Sequence, residues 1–298
     1  MSAGHRYVLL DVFTDTPLQG NQLAVFADAR ELPERDMQPL ARELNLSETV
    51  FVLAPERGGD ARIRIFTPAA ELPFAGHPVL GAAIVVAAER GREQVTLETG
   101  AGVVPVAVRG AGAGEDGREA GRADARAGAR IAYASMRQPI PTWRRFEREA
   151  QLLEALGVER SGLPVEVYVN GPRQVFVALE SEDAVAALAP DVRALAELGE
   201  LGVSCFAGSG ASWKTRNFAP GLGIAEDPAT GSAAGPLAVH LARHGRIAFG
   251  EEIEIRQGAE VGRPSLLRAR AVGSADAIER VEVGGAAVIV ARGEFALG

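Results

Sequence analysis

The chain is poor in the residues that thiol and Schiff-base chemistry require. Cys205 is its one cysteine, which excludes an intramolecular disulfide, a cysteine-rich zinc site and any mechanism needing two thiols. Of the 31 basic residues only Lys214 is lysine, so a cofactor held as a lysine imine would depend on that single position. Long apolar runs are missing as well. The longest, Val79 to Ala88, has ten residues, half of the roughly 20 that a bilayer crossing needs. The start, Met1 to Tyr7, passes directly into the short apolar segment Val8 to Phe13. It has no basic start and no small-residue cleavage site, and a cytoplasmic protein is expected. There is no surplus of positive charge: Lys+Arg 31 against Asp+Glu 39 gives a net charge of −8, which argues against nucleic acid or an anionic membrane as partner.

What is present is material for a core. With 298 residues and 47% hydrophobic, the chain can build one large domain or two of ordinary size. A glycine- and charge-rich stretch, Gly110 to Gly128, reads as a linker because it cannot bury enough apolar surface to order itself. It sets an N-terminal lobe at 1–128 and a C-terminal lobe at 129–298, with the last strand, Ala286 to Ala291, a candidate for return to the first lobe. The two halves repeat one plan. Phe66-Thr-Pro68 answers Phe218-Ala-Pro220, offset 152, and Pro73-Phe-Ala-Gly-His77 answers Pro228-Ala-Thr-Gly-Ser232, offset 155. Apolar helical runs follow, Pro78 to Arg90 and Ala233 to His244, closed by Gly91 and Gly245, offset 154. Alternating strands come next, Gln94 to Glu98 and Glu252 to Arg256, each ending in a Gly-Ala pair at Gly100 and Gly258, offset 158. Four matches in one order indicate internal duplication.

Each half reads as alternating strands around one helix. Val79 to Ala88 has almost no polar face, so that helix belongs at the centre of its lobe. Amphipathic helices fit Pro33 to Leu44 and Glu147 to Leu156. The expected fold is α+β: two pseudo-symmetric lobes, each a curved, mostly antiparallel sheet wrapped around a central buried helix.

The repeated motif carries chemistry of its own. Gly76 and Gly231 stand where backbone N–H groups lack helical partners and the helix dipole is positive. Two such helix starts brought together by the pseudo-twofold would make a pocket for a small carboxylate. The side chains differ between halves. The first supplies His77, with Glu71 nearby; the second supplies Glu226, Asp227, Thr230 and Ser232. Asp227-Pro228 also reads as a turn-forming pair and Ser232 as a helix N-cap. Glu48 opens an otherwise apolar strand after an amphipathic helix. It reads either as a solvated strand end or as a carboxyl enclosed by apolar walls, whose raised pKa would make it a proton carrier. Aligning Phe51 with Phe206 puts Val203 at the matching place in the second half.

Asn45-Leu-Ser-Glu48, Phe66-Thr-Pro68, Glu71-Leu-Pro-Phe-Ala-Gly-His-Pro78, Glu226-Asp-Pro-Ala-Thr-Gly-Ser-Ala233 and Gly262-Arg-Pro-Ser265, with Gly20-Asn21, together resemble the PhzF family of the diaminopimelate-epimerase superfold. Gln138-Pro-Ile-Pro-Thr-Trp143, Asn170-Gly-Pro-Arg173 and Cys205-Phe-Ala-Gly208 are similar to the family's phenazine-pathway branch. The resemblance implies an isomerase of trans-2,3-dihydro-3-hydroxyanthranilate in phenazine biosynthesis. Glu48 would be the general acid/base, taking a proton from ring carbon C3 and returning it at C1, after which the enol relaxes to the ketone. His77 and Asp227 would complete the catalytic set by holding the amino and hydroxyl substituents. Gly76, Gly231 and Ser232 would bind substrate, Ser232 and the Gly231/Ser232 amides taking the carboxylate. The resemblance further implies a homodimer with no cofactor and no metal. Its alternatives are an isomerase or epimerase of another small amino or hydroxy acid, and a non-catalytic carboxylate-binding protein.

Other chemistries fit less well. The superfold's epimerases use two cysteines, and here those places carry Ala75 and Thr230, while Cys205 reads as a buried strand residue. Ser232, His77 and Asp227 are hydrolase residue types, but Gly231 to Gly235 is not a nucleophile elbow. His240 and His244 share a helix face without an evident third metal ligand, and favourable interaction with the helix dipole accounts for them. Lys214 reads as a strand-edge charge.

Overall fold

The alternating and all-apolar segments of the sequence are realised as seventeen strands and six α-helices in a computed structural model that describes residues 4–110 and 131–297. The proposed linker lies almost entirely outside the described residues. The chain divides into two units, Met1–Met136 with Gly284–Gly298, and Arg137–Val283.

The first unit contains β1 (His5–Val12), β2 (Asn21–Phe26), α1 (Glu34–Leu44), β3 (Glu48–Leu53), β4 (Ala61–Phe66), β5 (Glu71–Leu72), α2 (Gly76–Arg90), β6 (Gln94–Thr99), β7 (Gly102–Gly110) and β8 (Ile131–Gln138), the last crossing the division. Neighbouring strands pair antiparallel except β2 with β3 and β4 with β6. Those two parallel pairs are the ones whose connections carry a helix, α1 and α2, as a parallel crossover requires. From Gly76 to Ala87 every residue of α2 is buried, and the helix touches β1, β2, β3, β4, β6 and β7, so the sheet wraps around it. Its lack of a polar face is explained by this central position. On the other side of the sheet Met37, Leu40 and Ala41 of α1 pack on Phe26, Phe51 and Phe66.

The second unit contains β9 (Thr142–Arg145), α3 (Glu149–Leu156), β10 (Glu166–Val169), β11 (Arg173–Ala178), α4 (Glu182–Ala186), α5 (Val192–Ala196), β12 (Gly202–Ser209), β13 (Ser212–Ala219), β14 (Ile224–Asp227), α6 (Gly231–Arg243), β15 (Glu252–Gln257) and β16 (Ser265–Gly273); β17 (Ile278–Phe295) then runs back and pairs antiparallel with β1. The plan is repeated. β11 with β12 and β13 with β15 are the parallel pairs, β12 with β13 the antiparallel hairpin between them, and α6 is buried from Gly231 to Ala242.

Strand pairing fixes which residues correspond. Ile63 lies opposite Val52 in the first unit, and its counterpart Thr215 lies opposite Phe206 in the second. Val52 therefore matches Phe206, and Glu48 matches Gly202 rather than Val203, a correction of one residue. The terminal glycines are explained too. A Cβ on Gly100 would come 2.8 Å from Pro73 Cα, and one on Gly258 would come 2.4 Å from the Pro228 carbonyl oxygen. In both units a glycine closes the strand because it passes against the proline of the motif loop.

Candidate active site

In the first unit two sequence-selected residues meet. Asn45 ends α1 in the left-handed conformation, and the chain enters β3 at Glu48, which lies opposite Leu23 of β2. The Glu48 side chain is buried, with 7% of the residue exposed. His77, the second residue of α2, points at it: Nε2 is 3.2 Å from Glu48 Oε2. The other ring nitrogen, Nδ1, is 3.3 Å from Asn21 Nδ2 at the start of β2. Burial pushes the His77 pKa down to about 3 against a backbone hydrogen bond at Gln22, so the imidazole is neutral around neutrality. At 3.2 Å Nε2 and Oε2 are in contact but not aligned for a hydrogen bond, and a neutral ring has one donor and one acceptor nitrogen with which to exchange a proton. Such a couple can hand on a proton without an ion pair to dismantle.

In the second unit Asp227 ends β14, opposite Asn217, and is buried. Thr230 Oγ1 donates to Asp227 Oδ2 at 2.6 Å. Ser232 is the second residue of α6, with Thr230 at the N-cap, so Ser232 does not cap the helix. The Ser232 hydroxyl instead accepts a long 3.4 Å bond from Gln174 Nε2. Buried amides hold the helix start: Gln138 donates to the Gly231 carbonyl at 2.8 Å and Asn170 to the Ser232 carbonyl at 3.0 Å. Neither Gly76 nor Gly231 is preceded by a side-chain cap, and neither first turn carries an acid. Each helix start thus keeps its positive dipole end uncompensated by first-turn acids, which suits an anion.

Other residues singled out in the sequence have structural partners. Glu71 forms a two-pronged pair with Arg64 at the surface, 2.8 and 2.7 Å. Glu226 does the same with Arg216, whose guanidinium also donates to the carbonyls of Ala186 and Leu188. Lys214 pairs with Glu260 at 2.6 Å, and β13 has neighbours on both sides there, so it is not at a strand edge. Cys205 is fully buried in β12, and burial pushes its pKa up to about 12. The third neighbour of His240 and His244 is Glu166, on β10 and invisible to local spacing; the three ligand atoms lie within 4.8 Å of one another. The same Glu166 oxygen already accepts from Arg243 at 2.8 Å and Tyr168 at 2.9 Å, and the guanidinium stacks on Trp143. Burial works against the Glu166 charge, but hydrogen bonds from His240, Arg243, His244 and Tyr168 outweigh it and hold the carboxyl far below its ordinary value. A cation would meet a guanidinium already in place, so the cluster reads as a pin tying the end of α6 to β10. No helix among the described residues is long and apolar enough to cross a membrane.

Residues 10–293 match the family model PhzC-PhzF, described as phenazine biosynthesis-like protein. The chain is 53% identical over 289 residues to trans-2,3-dihydro-3-hydroxyanthranilate isomerase of Pseudomonas aeruginosa, an alignment covering 97% of this chain and 98% of that one. It is 52% identical over 293 residues to the protein of the same name from Pseudomonas fluorescens, covering 98% and 100%. Among solved structures, the Bacillus anthracis phenazine biosynthesis protein of the PhzF family superposes with a TM-score of 0.81 at 25% identity, over 99% of this chain and 100% of that one. With the family model matched over nearly the whole chain and two relatives above half identity, the chain belongs to the PhzF family.

Proposed function

We propose that this protein is an isomerase that converts trans-2,3-dihydro-3-hydroxyanthranilate to its ketone isomer in phenazine biosynthesis. The observation that carries the reading is the buried Glu48 carboxyl 3.2 Å from a neutral imidazole, in a chain more than half identical to isomerases of that name. Glu48 removes the proton from ring carbon C3, the electron pair shifts into the ring, and the same carboxyl returns a proton at C1. The enol so formed relaxes to the ketone, and no atom is gained or lost. One mobile carboxyl suffices for a transfer along one ring face. His77 steadies Glu48 and one substituent, and Asp227 holds another. Ser232 and the Gly231/Ser232 amides receive the substrate carboxylate at a helix start whose dipole favours negative charge, and Gly76 is a further substrate-binding residue.

The test is to incubate purified protein with the substrate in heavy water and follow it by NMR. Product forms without added cofactor, and Glu48→Gln, which keeps shape but can neither take nor return the ring proton, lowers turnover by at least about a thousandfold. Near-normal turnover by that variant removes Glu48 from the chemistry. The same reading includes a cytoplasmic, cofactor-independent homodimer. Assay of extensively dialysed protein and sedimentation of the native protein test the last two features.

A further inference from the structure

The amide of Gln257, the last residue of β15, has its orientation dictated by the main chain. Its Oε1 accepts from the Thr230 N–H at 3.3 Å and its Nε2 donates to the Asp227 carbonyl at 2.7 Å. A backbone N–H can only donate and a carbonyl can only accept, so the amide cannot be turned over. The same Nε2 donates to Thr230 Oγ1 at 2.9 Å. With its lone pair engaged there, the Thr230 hydroxyl directs its hydrogen to Asp227 Oδ2, 2.6 Å away. Thr215 Oγ1 donates to Gln257 Oε1 at 3.1 Å and steadies the far side. Thr215, Asp227, Thr230 and Gln257 are all buried.

Two observations separate this chain of bonds from ordinary packing. Thr230 occupies the N-cap of α6, where a threonine normally turns its hydroxyl to the first-turn amides, yet it makes no capping bond. Its hydroxyl serves Asp227 instead. The duplication also provides an internal control. By strand pairing and motif alignment, the first unit carries Leu72, Ala75 and Thr99 where the second carries Asp227, Thr230 and Gln257. The same strand, turn and buried helix form there without the polar set, so the fold of this junction does not require it.

We infer that Thr230 and Gln257 are positioning residues that lock the Asp227 carboxylate in one orientation, with a hydrogen bond committed to Oδ2. The inference rests on the reading that Asp227 contacts substrate. With the lock removed, Asp227 keeps its charge but not its aim, so alignment of the bound substrate suffers more than its capture.

The test uses Thr230→Ala and Gln257→Thr, the residues the first unit carries at these places, with Thr230→Ser as the conservative variant and Asp227→Asn as reference. Trans-2,3-dihydro-3-hydroxyanthranilate is the substrate probe. Thr230→Ala and Gln257→Thr lower kcat about 10- to 100-fold while KM moves less than about threefold, and Thr230→Ser restores kcat to within about threefold of the parent. Melting temperatures of the variants stay within about 4 °C of the parent, which separates misplacement from unfolding. If Thr230→Ala turns over at the parent rate while Asp227→Asn is inactive, the positioning inference is wrong and the role of Asp227 stands. If Asp227→Asn itself is near-normal, the site reading fails and the inference goes with it.

Discussion

Acidification from pH 8 to pH 5 tests the environment of His77 directly. An unfolded histidine has a pKa near 6.5, and burial lowers that of His77 to about 3 in the folded protein. Between these values the unfolded chain binds a proton at this position and the native protein does not, so stability falls as pH falls through the window from 6.5 towards 3. Above pH 6.5 both states are neutral and the position is indifferent to pH. At pH 5 the unfolded state gains about 1.5 pH units of protonation free energy, which at about 1.4 kcal/mol per unit is a loss of about 2 kcal/mol. His77→Gln cannot titrate and is spared this loss. Urea unfolding at the two pH values should therefore show the parent losing about 2 kcal/mol more than His77→Gln over the interval. The ring is read separately by 15N NMR of the native protein, which reports its protonation apart from the stability of the chain. A His77 imidazole that titrates with a midpoint above pH 5 in the folded state refutes the reasoning. A protonated ring would then face Glu48, and the neutral imidazole on which the site reading rests would be lost.

Two glycines of similar left-handed backbone give a matched steric test. Gly250 (φ +88) has open space around a built Cβ, whereas at Gly258 (φ +83) that atom would lie 2.4 Å from two carbonyl oxygens. Gly250→Ala should cost about 1–2 kcal/mol, the left-handed penalty alone, and Gly258→Ala at least about 2 kcal/mol more in chemical denaturation. Equal losses would show that strand and motif loop are not in close contact. Cys205, fully buried with its pKa pushed up to about 12, should react with a disulfide reagent only as fast as the protein unfolds. Rapid labelling of the native protein would contradict its placement in β12.

Features that depend on periodicity or on a local turn were legible in the sequence. The apolar run of α2 announced a helix without a solvent face, and the structure buries it from Gly76 to Ala87. The helix expected over Pro33 to Leu44 spans Glu34–Leu44, with Pro33 at its N-cap. The paired Gly-Ala signals marked a real close approach of strand to loop. Features that depend on distant strands were not legible. Glu166 joins His240 and His244 across more than 70 residues, and Gln257 reaches Asp227 and Thr230 across 30 and 27. No local pattern announces such meetings. The one-residue error at Val203 has a different cause. Strands β3 and β12 are buried on both faces, so neither shows the alternation that would fix register, and matching Phe51 to Phe206 was as plausible as the true pairing.

The corrected register shows how one frame came to carry two chemistries. Where the first unit places Glu48 against His77, the second has Gly202, and the corresponding helix residue is Ser232. The space beside Gly202 is filled from the neighbouring strand: a Cβ there would lie 2.2 Å from Gln174 Oε1, and the Gln174 amide reaches Ser232 Oγ. An amide donor from β11 thus stands where a carboxyl from β3 stands in the other unit, one suited to holding an anion and the other to carrying a proton. If Gly202 exists to admit Gln174, the two positions are energetically coupled. Gly202→Ala then displaces the amide and breaks its 3.1 Å bond from Asn217, costing about 1–3 kcal/mol. In a Gln174→Ala background the same substitution meets no amide and costs little, so a double-mutant cycle returns a coupling of about 1–2 kcal/mol. Strict additivity would mean that Gly202 answers to the backbone alone, and that the two units diverged at this position without regard to what Gln174 does.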